Sequence, residues 1–448
     1  MTSATTLFKE LLNVNDTIID DINISKNRYD EKVLIARIHP RKGLQWKCPI
    51  CGKRCKVYDQ PYEERRWRGL DFGAIPVELI ASVPRVICKE HGVKTAGVPW
   101  AYPDSGFTKD FEYTVVWLCK YLSRSAVSNY MRIDWRTVGR CITRVHNDIE
   151  PNVLGRLNGL VKIGIDETSY RTGHKYITVV LNHETNTVVW ASDGHGKTVL
   201  EKFFNLLTPQ QCASIEVVSG DGARWITDCV NEYIPNAKRC VDPFHVVEWT
   251  MEALDSVRTD AWREALAKLN KYDVKRGPGR PKADDEEAKK HRQAKKEASE
   301  IKQSSYALGK SPDHLTATQE ARLEMIQKSD KRLYRAYILK EKLRLLLKIT
   351  DRDEAESELI AWVKWARHCR IPAFVELQRK IMRHKDHILN TIELGVTNAR
   401  IEATNNKIKL LIRKAYGFRN VDSMIDMVLL YCSGLKIPLP NRNRVRYA

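Results

Sequence analysis

The chain has 448 residues, 43% of them hydrophobic, with 75 Lys and Arg against 56 Asp and Glu and a net charge of +19. That excludes a disordered chain and exceeds what one ordinary compact core holds, so two to four domains are expected. A pI near 9.4 points to a polyanionic partner, with nucleic acid ahead of an acidic membrane surface.

The first residues, MTSATTLFKELLNVND, carry a short helical pattern and lack a basic stretch followed by an apolar signal core. No run approaches the ~20 apolar residues of a membrane helix, so a cytoplasmic, nucleoid-associated protein with no membrane partner is expected. Most of the 11 cysteines sit in apolar contexts, where a reducing compartment leaves them as small hydrophobes. The exception follows the strand-like run KVLIARIHP. Cys48-Pro-Ile-Cys51-Gly and, after the strand-like PVELIASVPRVIC, Cys88-Lys-Glu-His91-Gly repeat one spacing. Two such knuckles suit one tetrahedral Cys₃His zinc ion, and the Gly after each permits the positive φ of the turn. Cys55 is an alternative ligand with poorer spacing. Four protein ligands leave no open position, so the zinc is expected to be structural, clipping a small module that lacks a core of its own.

Residues 108–150 read as helices. Within 120–148, two helical stretches flank a break near Met131–Ile133, and Asp134 is a suitable N-cap for the second. Ala126, Val127, Ile133, Val138 and Ile142 are expected to form the shared core. Arg136, Arg140 and Arg144 recur at every fourth position, a basic stripe suited to a DNA groove or its phosphates. From 161 to 245, VKIGID, KYITVVLN, NTVVWAS, IEVVSGD and AKRCVDPF read as strands separated in part by helices, a mixed α/β sheet whose first three strands are antiparallel. From 246 to 395 the pattern is helical, broken at KRGPGRPK. That segment resembles an AT-hook, with Arg276 and Arg280 as minor-groove residues; a charged loop is the alternative.

The apolar run Val161–Ile165 ends on Asp166 and Glu167, and IEVVSGD ends on Asp221 before Gly222. Acids at neighbouring strand ends repel unless cations lie between them, and paired Mg²⁺ ions demand such hard oxygens. Two such ions promote in-line phosphoryl transfer. Glu402 lies in the helix-forming ARIEATNNKIKLLIRKAYGFRN, on one face with Asn406, Lys409 and Arg413, while Ile401, Ile408, Leu411, Ile412 and Ala415 lie mostly on the other. That face can place a carboxylate on metal and its basic neighbours on DNA phosphates.

At these residues the chain resembles the bacterial insertion-sequence transposases of the ISL-three group: in CPICG and VICKEHGVKTAGVPWA, in SAVSNYMRIDWRTVGR, and in IGIDE, VSGDGAR, VDPFHVV and ARIEATNNKIKLLIRKAYGFRN. The resemblance implies a multidomain α+β chain. A zinc-ribbon-like module (1–105) precedes a helix-turn-helix (106–155). An RNase H-like core (156–246 and 396–448) is interrupted by a helical insertion (247–395). It also implies an Asp-Asp-Glu triad of Asp166, Asp221 and Glu402 holding two Mg²⁺, for which Mn²⁺ substitutes. Asp242 is the rival second ligand, and His245 contacts DNA or the scissile phosphate, or is satisfied within the fold. The implied activity binds terminal inverted repeats, cuts DNA by hydrolysis and joins the 3′-OH ends to target DNA. The partners are double-stranded DNA and a second copy of the chain. The alternative is a catalytically silent, transposase-derived DNA-binding regulator.

Overall fold

The computed structural model describes residues 4–27, 30–60, 63–271, 286–396, 399–418 and 420–439. After helix α1 (Ala4–Leu11) come strands β1 (Thr17–Lys26), β2 (Lys32–Pro40), β3 (Lys56–Asp59), β4 (Arg65–Arg68), β5 (Val77–Ala81), β6 (Arg85–Cys88) and β7 (Gly92–Thr95). They form a four-stranded sheet, β1-β2-β5-β4, and a three-stranded one, β3-β6-β7. The single strand expected over PVELIASVPRVIC is two strands in different sheets. Pro84, which has no N–H to give a ladder, sits in the turn between them. The four-stranded sheet buries Leu34, Ile38, Trp67 and Leu79. This module therefore has a core of its own, contrary to the expectation of one held only by metal.

Three helices follow: α2 (Lys109–Cys119), α3 (Arg124–Met131) and α4 (Trp135–Ile149). Each starts on a side-chain cap: Thr108 accepts from Phe111 N, Ser123 from Ala126 N and Asp134 from Arg136 N. α3 stops because Arg132 turns left-handed, at φ 54°. Val127, Val138 and Ile142 are buried as expected; Ala126 is exposed, its place in the core taken by Met131 and Val145.

The second half holds β8 (Lys162–Arg171), β9 (Lys175–Asn182), β10 (Thr187–Asp193), α5 (Lys197–Phe204), α6 (Pro209–Ser214), β11 (Val217–Gly220), α7 (Arg224–Tyr233) and β12 (Lys238–Val241). Their order is β10-β9-β8-β11-β12. The first three are antiparallel, as expected, and β11 and β12 run parallel to β8. β8 does not end at its acids. It pairs with β9 as far as Arg171, whereas β11 follows it only from Lys162 to Gly164. Asp166 therefore lies on a stretch whose β11-side edge is free of ladder bonds.

No strand appears among the described residues after β12. α8 (Pro243–Lys271), α9 (Glu286–Lys302), α10 (Ser305–Gly309), α11 (Ala317–Ser329), α12 (Lys331–Leu346), α13 (Arg352–His368), α14 (Pro372–Arg383) and α15 (Lys385–Leu394) pack around one apolar core. α15 covers the edge strand. Asn390 Nδ2 donates to Arg239 O at 3.1 Å and Thr391 Oγ1 to Val241 O at 2.7 Å, so an edge that would otherwise template foreign strands is closed. No described helix is long and apolar enough to cross a membrane.

The chain then returns to the sheet as α16 (Ala399–Lys414) and α17 (Val421–Cys432). Val127, Val138 and Ile142 share one core with Ile177 and Val179 of β9, Ile408 and Leu411 of α16, and Met424 and Val428 of α17. α16 seats against β8 at Gly164, where a Cβ would lie 2.1 Å from Ile401 Cδ1. Gly164→Ala should therefore cost about 1–3 kcal/mol in urea unfolding through overpacking. Ile401→Val in the same chain should recover part of that loss; no recovery would locate the cost elsewhere.

Candidate metal centres and nucleic-acid interface

Sheet register builds the acidic site. Ser219 lies opposite Gly164 and Gly220 opposite Val241. Asp166 and Asp221 each come two residues after the last β8–β11 pair, and Asp221 and Asp242 one residue after the last β11–β12 pair, so the three acids hold matching positions at the C-terminal ends of the parallel pairings. The bond from Asp242 N to Gly220 O, 3.0 Å, carries the second ladder that far. Burial pushes the Asp166 carboxyl up to about 6. The Glu167 N–H and His245 oppose the shift, and Asp221 and Asp242 add to it. Glu167 is raised as well, chiefly by burial, and its Oε1 is buried with no hydrogen-bond partner.

Beneath the acids lies Arg239, buried in β12. Its guanidinium donates to the carbonyls of Val218, Cys240 and Asp221, tying three chain segments together below the carboxylates. Burial lowers its pKa to about 10, so it stays cationic at neutral pH. Asp221 Oδ1 accepts from Ala223 N at 2.9 Å, and Asp242 Oδ1 from Phe244 N at 3.0 Å at the start of α8. His245 Nδ1 lies 3.0 Å from Glu248 Oε2 and makes an ion pair there when protonated.

From α16, the residue that reaches the acids is Asn405. Its Nδ2 donates to Asp166 Oδ2 at 2.5 Å, and its Oδ1 accepts from Thr168 Oγ1 at 2.7 Å. Glu402, one turn earlier, is exposed, as are Asn406, Lys409 and Arg413. The charges acting most on Asp166 are His245, Asp221 and Asp242; Glu402 is not one of them. Among the described residues, no three of these carboxylates have oxygens all within 4.8 Å of one another. Their oxygen-only donor set and raised Asp166 fit hard divalent cations.

The knuckles do close. One ligand atom each from Cys48, Cys51, Cys88 and His91 lies within 4.8 Å of the others. Cys88 Sγ is 3.6 Å from His91 Nδ1 and 3.7 Å from Cys51 Sγ. Gly52 and Gly92 hold φ of 67° and 69°, as the turns require. Backbone N–H groups at Glu90 and His91, with the His91 side chain, lower the Cys88 thiol to about 6, which favours the thiolate a metal needs. Cys55 stays outside the group, its thiol donating to Lys53 O. Three sulfurs and one imidazole fit zinc.

On α4, Arg136 and Arg140 are exposed, but Arg144 turns inward, with Nε 2.9 Å from the Glu112 carboxylate, which is fully buried on α2. Its guanidinium offsets a buried charge and is not free for phosphate. Arg276 and Arg280 lie outside the described residues.

Residues 44–91 match the family described as the zinc-finger of transposase IS204/IS1001/IS1096/IS1165. Residues 98–146 match the helix-turn-helix domain of transposase family ISL3, and residues 163–428 match an ISL3 family described as transposase. The chain is 42% identical over 439 residues to the transposases for insertion sequence element IS1557 of two Mycobacterium tuberculosis strains, covering 98% of this chain and 97% of theirs. It is 23% identical over 378 residues to the transposase for IS1001 of Bordetella parapertussis, covering 83% of this chain and 85% of that one.

The two centres yield two tests. Elemental analysis should find about one zinc per chain, lost in Cys51→Ser together with thermal stability; retention of zinc by that variant would exclude this ligand set. Because the Asp166 carboxyl is raised from 3.8 to about 6, its ionisation opposes folding above pH 6, and the penalty fades as pH falls towards 4. With zinc present and magnesium absent, Asp166→Asn should gain roughly 1–3 kcal/mol in urea unfolding at pH 7.5. Added Mg²⁺ should stabilise the parent chain and not the variant.

Proposed function

The chain belongs to the ISL3 family of insertion-sequence transposases, and we propose that its second sheet is an RNase H-like core that cuts and joins DNA at Asp166, Asp221 and Glu402. The observation that carries this reading is the register of β8, β11 and β12, which puts acids at matching positions where the parallel pairings end. The strand order, with three antiparallel strands followed by two parallel ones, supports the fold assignment. Two Mg²⁺ or Mn²⁺ ions would supply charge neutralisation and activation of the attacking oxygen. Asp166 and Asp221 would hold them from the sheet, with Glu402 reaching in from the first turn of α16. Asp242 is the alternative to Asp221, although it also caps α8.

The remaining residues orient and hold. Asn405 fixes one oxygen of Asp166 and leaves its own carbonyl oxygen on Thr168, so the carboxylate cannot rotate freely. Arg239 anchors the backbone of Asp221. Water attacks phosphorus at a transposon end and one P–O bond breaks, releasing a 3′-OH. That hydroxyl then attacks a target phosphodiester, forming one P–O bond for the one broken, with no covalent enzyme intermediate.

Residues 1–105 and 106–155 would read the terminal inverted repeats. Residues 247–395 would form an insertion between core parts 156–246 and 396–448, bracing the paired ends and a second copy of the chain. One observation favours a DNA-binding regulator that has lost cutting: the Glu402 side chain is exposed, and the α16 side chain bonded to Asp166 is Asn405.

A labelled duplex carrying a transposon end, incubated with Mg²⁺, separates these readings. Asp166→Ala, Asp221→Ala and Glu402→Ala should each reduce cleavage and joining to background. Asn405→Ala should reduce them by about 10–100-fold, as removal of a ligand-orienting group does. Loss with Asp242→Ala but not with Asp221→Ala would transfer the second-ligand role. Binding without cleavage by the parent chain would support the regulator.

A further inference from the structure

Arg124, the first residue of α3, is 3% exposed. Its guanidinium is held between two aromatic rings, with Cζ 5.2 Å from the Trp135 centroid and 4.4 Å from that of Phe418. Nε and Nη2 are buried with no hydrogen-bond partner. Arg68, Arg156, Arg239 and Arg332 also leave a buried nitrogen unbonded, but each bonds an acceptor through another nitrogen. Arg124 makes no hydrogen bond and no ion pair to any described residue. Burial lowers its pKa, with only Cys119 acting against that shift.

A desolvated, unpaired cation is costly, and two aromatic faces recover part of that cost without supplying an acceptor. Such a side chain is complete only with an anion. It lines a groove of about 600 Å³ between α3, α4 and the start of α17, with the exposed Arg136 and Arg140 on one wall and Asn420 and Ser423 on the other. Gly139 lies between the two walls: a Cβ there would meet Arg124 Nη1 at 3.6 Å and Ser423 Oγ at 3.5 Å, ordinary contact distances. The groove's other wall is thus the N-terminal turn of α17, whose N–H groups favour negative charge. A second groove of about 690 Å³ shares Trp135 and Arg136 with the first and reaches Tyr170 and Arg171 at the end of β8.

We propose that the groove between α3, α4 and α17 is a binding site for one phosphate of the DNA backbone, with Arg124 as its buried anchor and Arg136 and Arg140 at its mouth. An anion there would bond two packed units at once, the helix-turn-helix and α17. It would thereby fix the duplex relative to β8, the strand that carries Asp166. The site rests on the reading that the helix-turn-helix engages DNA and is independent of the acids, so loss of cleavage chemistry would leave it untouched.

The test uses the full-length, zinc-loaded protein without Mg²⁺. Binding of a fluorescent duplex is followed across a salt series, and thermal unfolding is compared in phosphate and in chloride at equal ionic strength. One lost phosphate contact lowers the slope of log K against log salt by about 0.9. Arg124→Gln should show that drop and should lose the stabilisation that inorganic phosphate gives the parent chain; Arg124→Lys should retain part of both. Ser423→Asp places a carboxylate in the first turn of α17, where it favours the helix, and satisfies Arg124 internally. That variant should unfold at a higher temperature yet bind duplex more weakly, a pair of signs that misfolding does not produce. An unchanged salt slope in Arg124→Gln, or phosphate stabilisation that persists in it, would overturn the site. Phosphate stabilisation lost in Arg124→Gln without any change in DNA binding would also overturn it, because the groove would then take a free anion.

Discussion

Everything at the acidic site depends on the register between three parallel strands. A shift of β11 by one residue against β8 would turn Asp221 to the other face of the sheet and dissolve the alignment with Asp166. The register is held from below, where Arg239 bonds carbonyls on β11, on β12 and in the loop after β11. Its fixed positive charge also lies under carboxylates that repel one another. Sheet geometry brings the acids together, and the buried guanidinium limits what their proximity costs.

The reading helices are not hung loosely beside this sheet. Thr143 Oγ1 donates to Asp426 at 2.6 Å, His146 Nδ1 lies 3.0 Å from the same carboxylate, and α4 packs into the core that α16, α17 and β9 share. A force on α4 from bound DNA therefore passes through packed side chains to α16, the helix whose Asn405 grips Asp166.

Much of this was legible in the sequence because the signals were local. Two knuckles with matched spacing announced the zinc-type cluster, and alternation gave the strands; the acids expected at two strand ends follow β11 directly but lie within β8, which runs on to Arg171. The polar face of α16 was also readable: Glu402, Asn406, Lys409 and Arg413 are exposed, and Ile401, Ile408 and Leu411 are buried. What failed involved partners distant in the chain. Arg144 has the right period for a basic stripe, but period cannot show that Glu112, on another helix, claims it. Asn405 sits beside the Asn406 singled out from the sequence; only the docking of Ile401 on Gly164 decides which of the two faces Asp166. Nothing local in the sequence marks Arg124 or Arg239 as a buried arginine.

The helices between β12 and α16 have a physical reason to be close to the acids and not merely looped out from them. Gly222, next to Asp221, leaves no room for a side chain: a Cβ would lie 2.5 Å from the ring of Trp249 on α8 and 3.5 Å from His384 Nε2, between α14 and α15. Lys380 Nζ lies 3.9 Å from the same Trp249 centroid, and burial lowers its pKa against the pull of Glu252 and Asp221. The helical region thus presses an aromatic ring, a cation and an imidazole onto the loop that carries the second acid. With α15 also closing the β12 edge, those helices support both the outer strand and the loop that carries Asp221. Their length is then part of the site's construction, because a shorter connection from β12 to α16 would remove the Trp249 and His384 rings from one side of the Asp221 loop and leave it held by Arg239 alone from below.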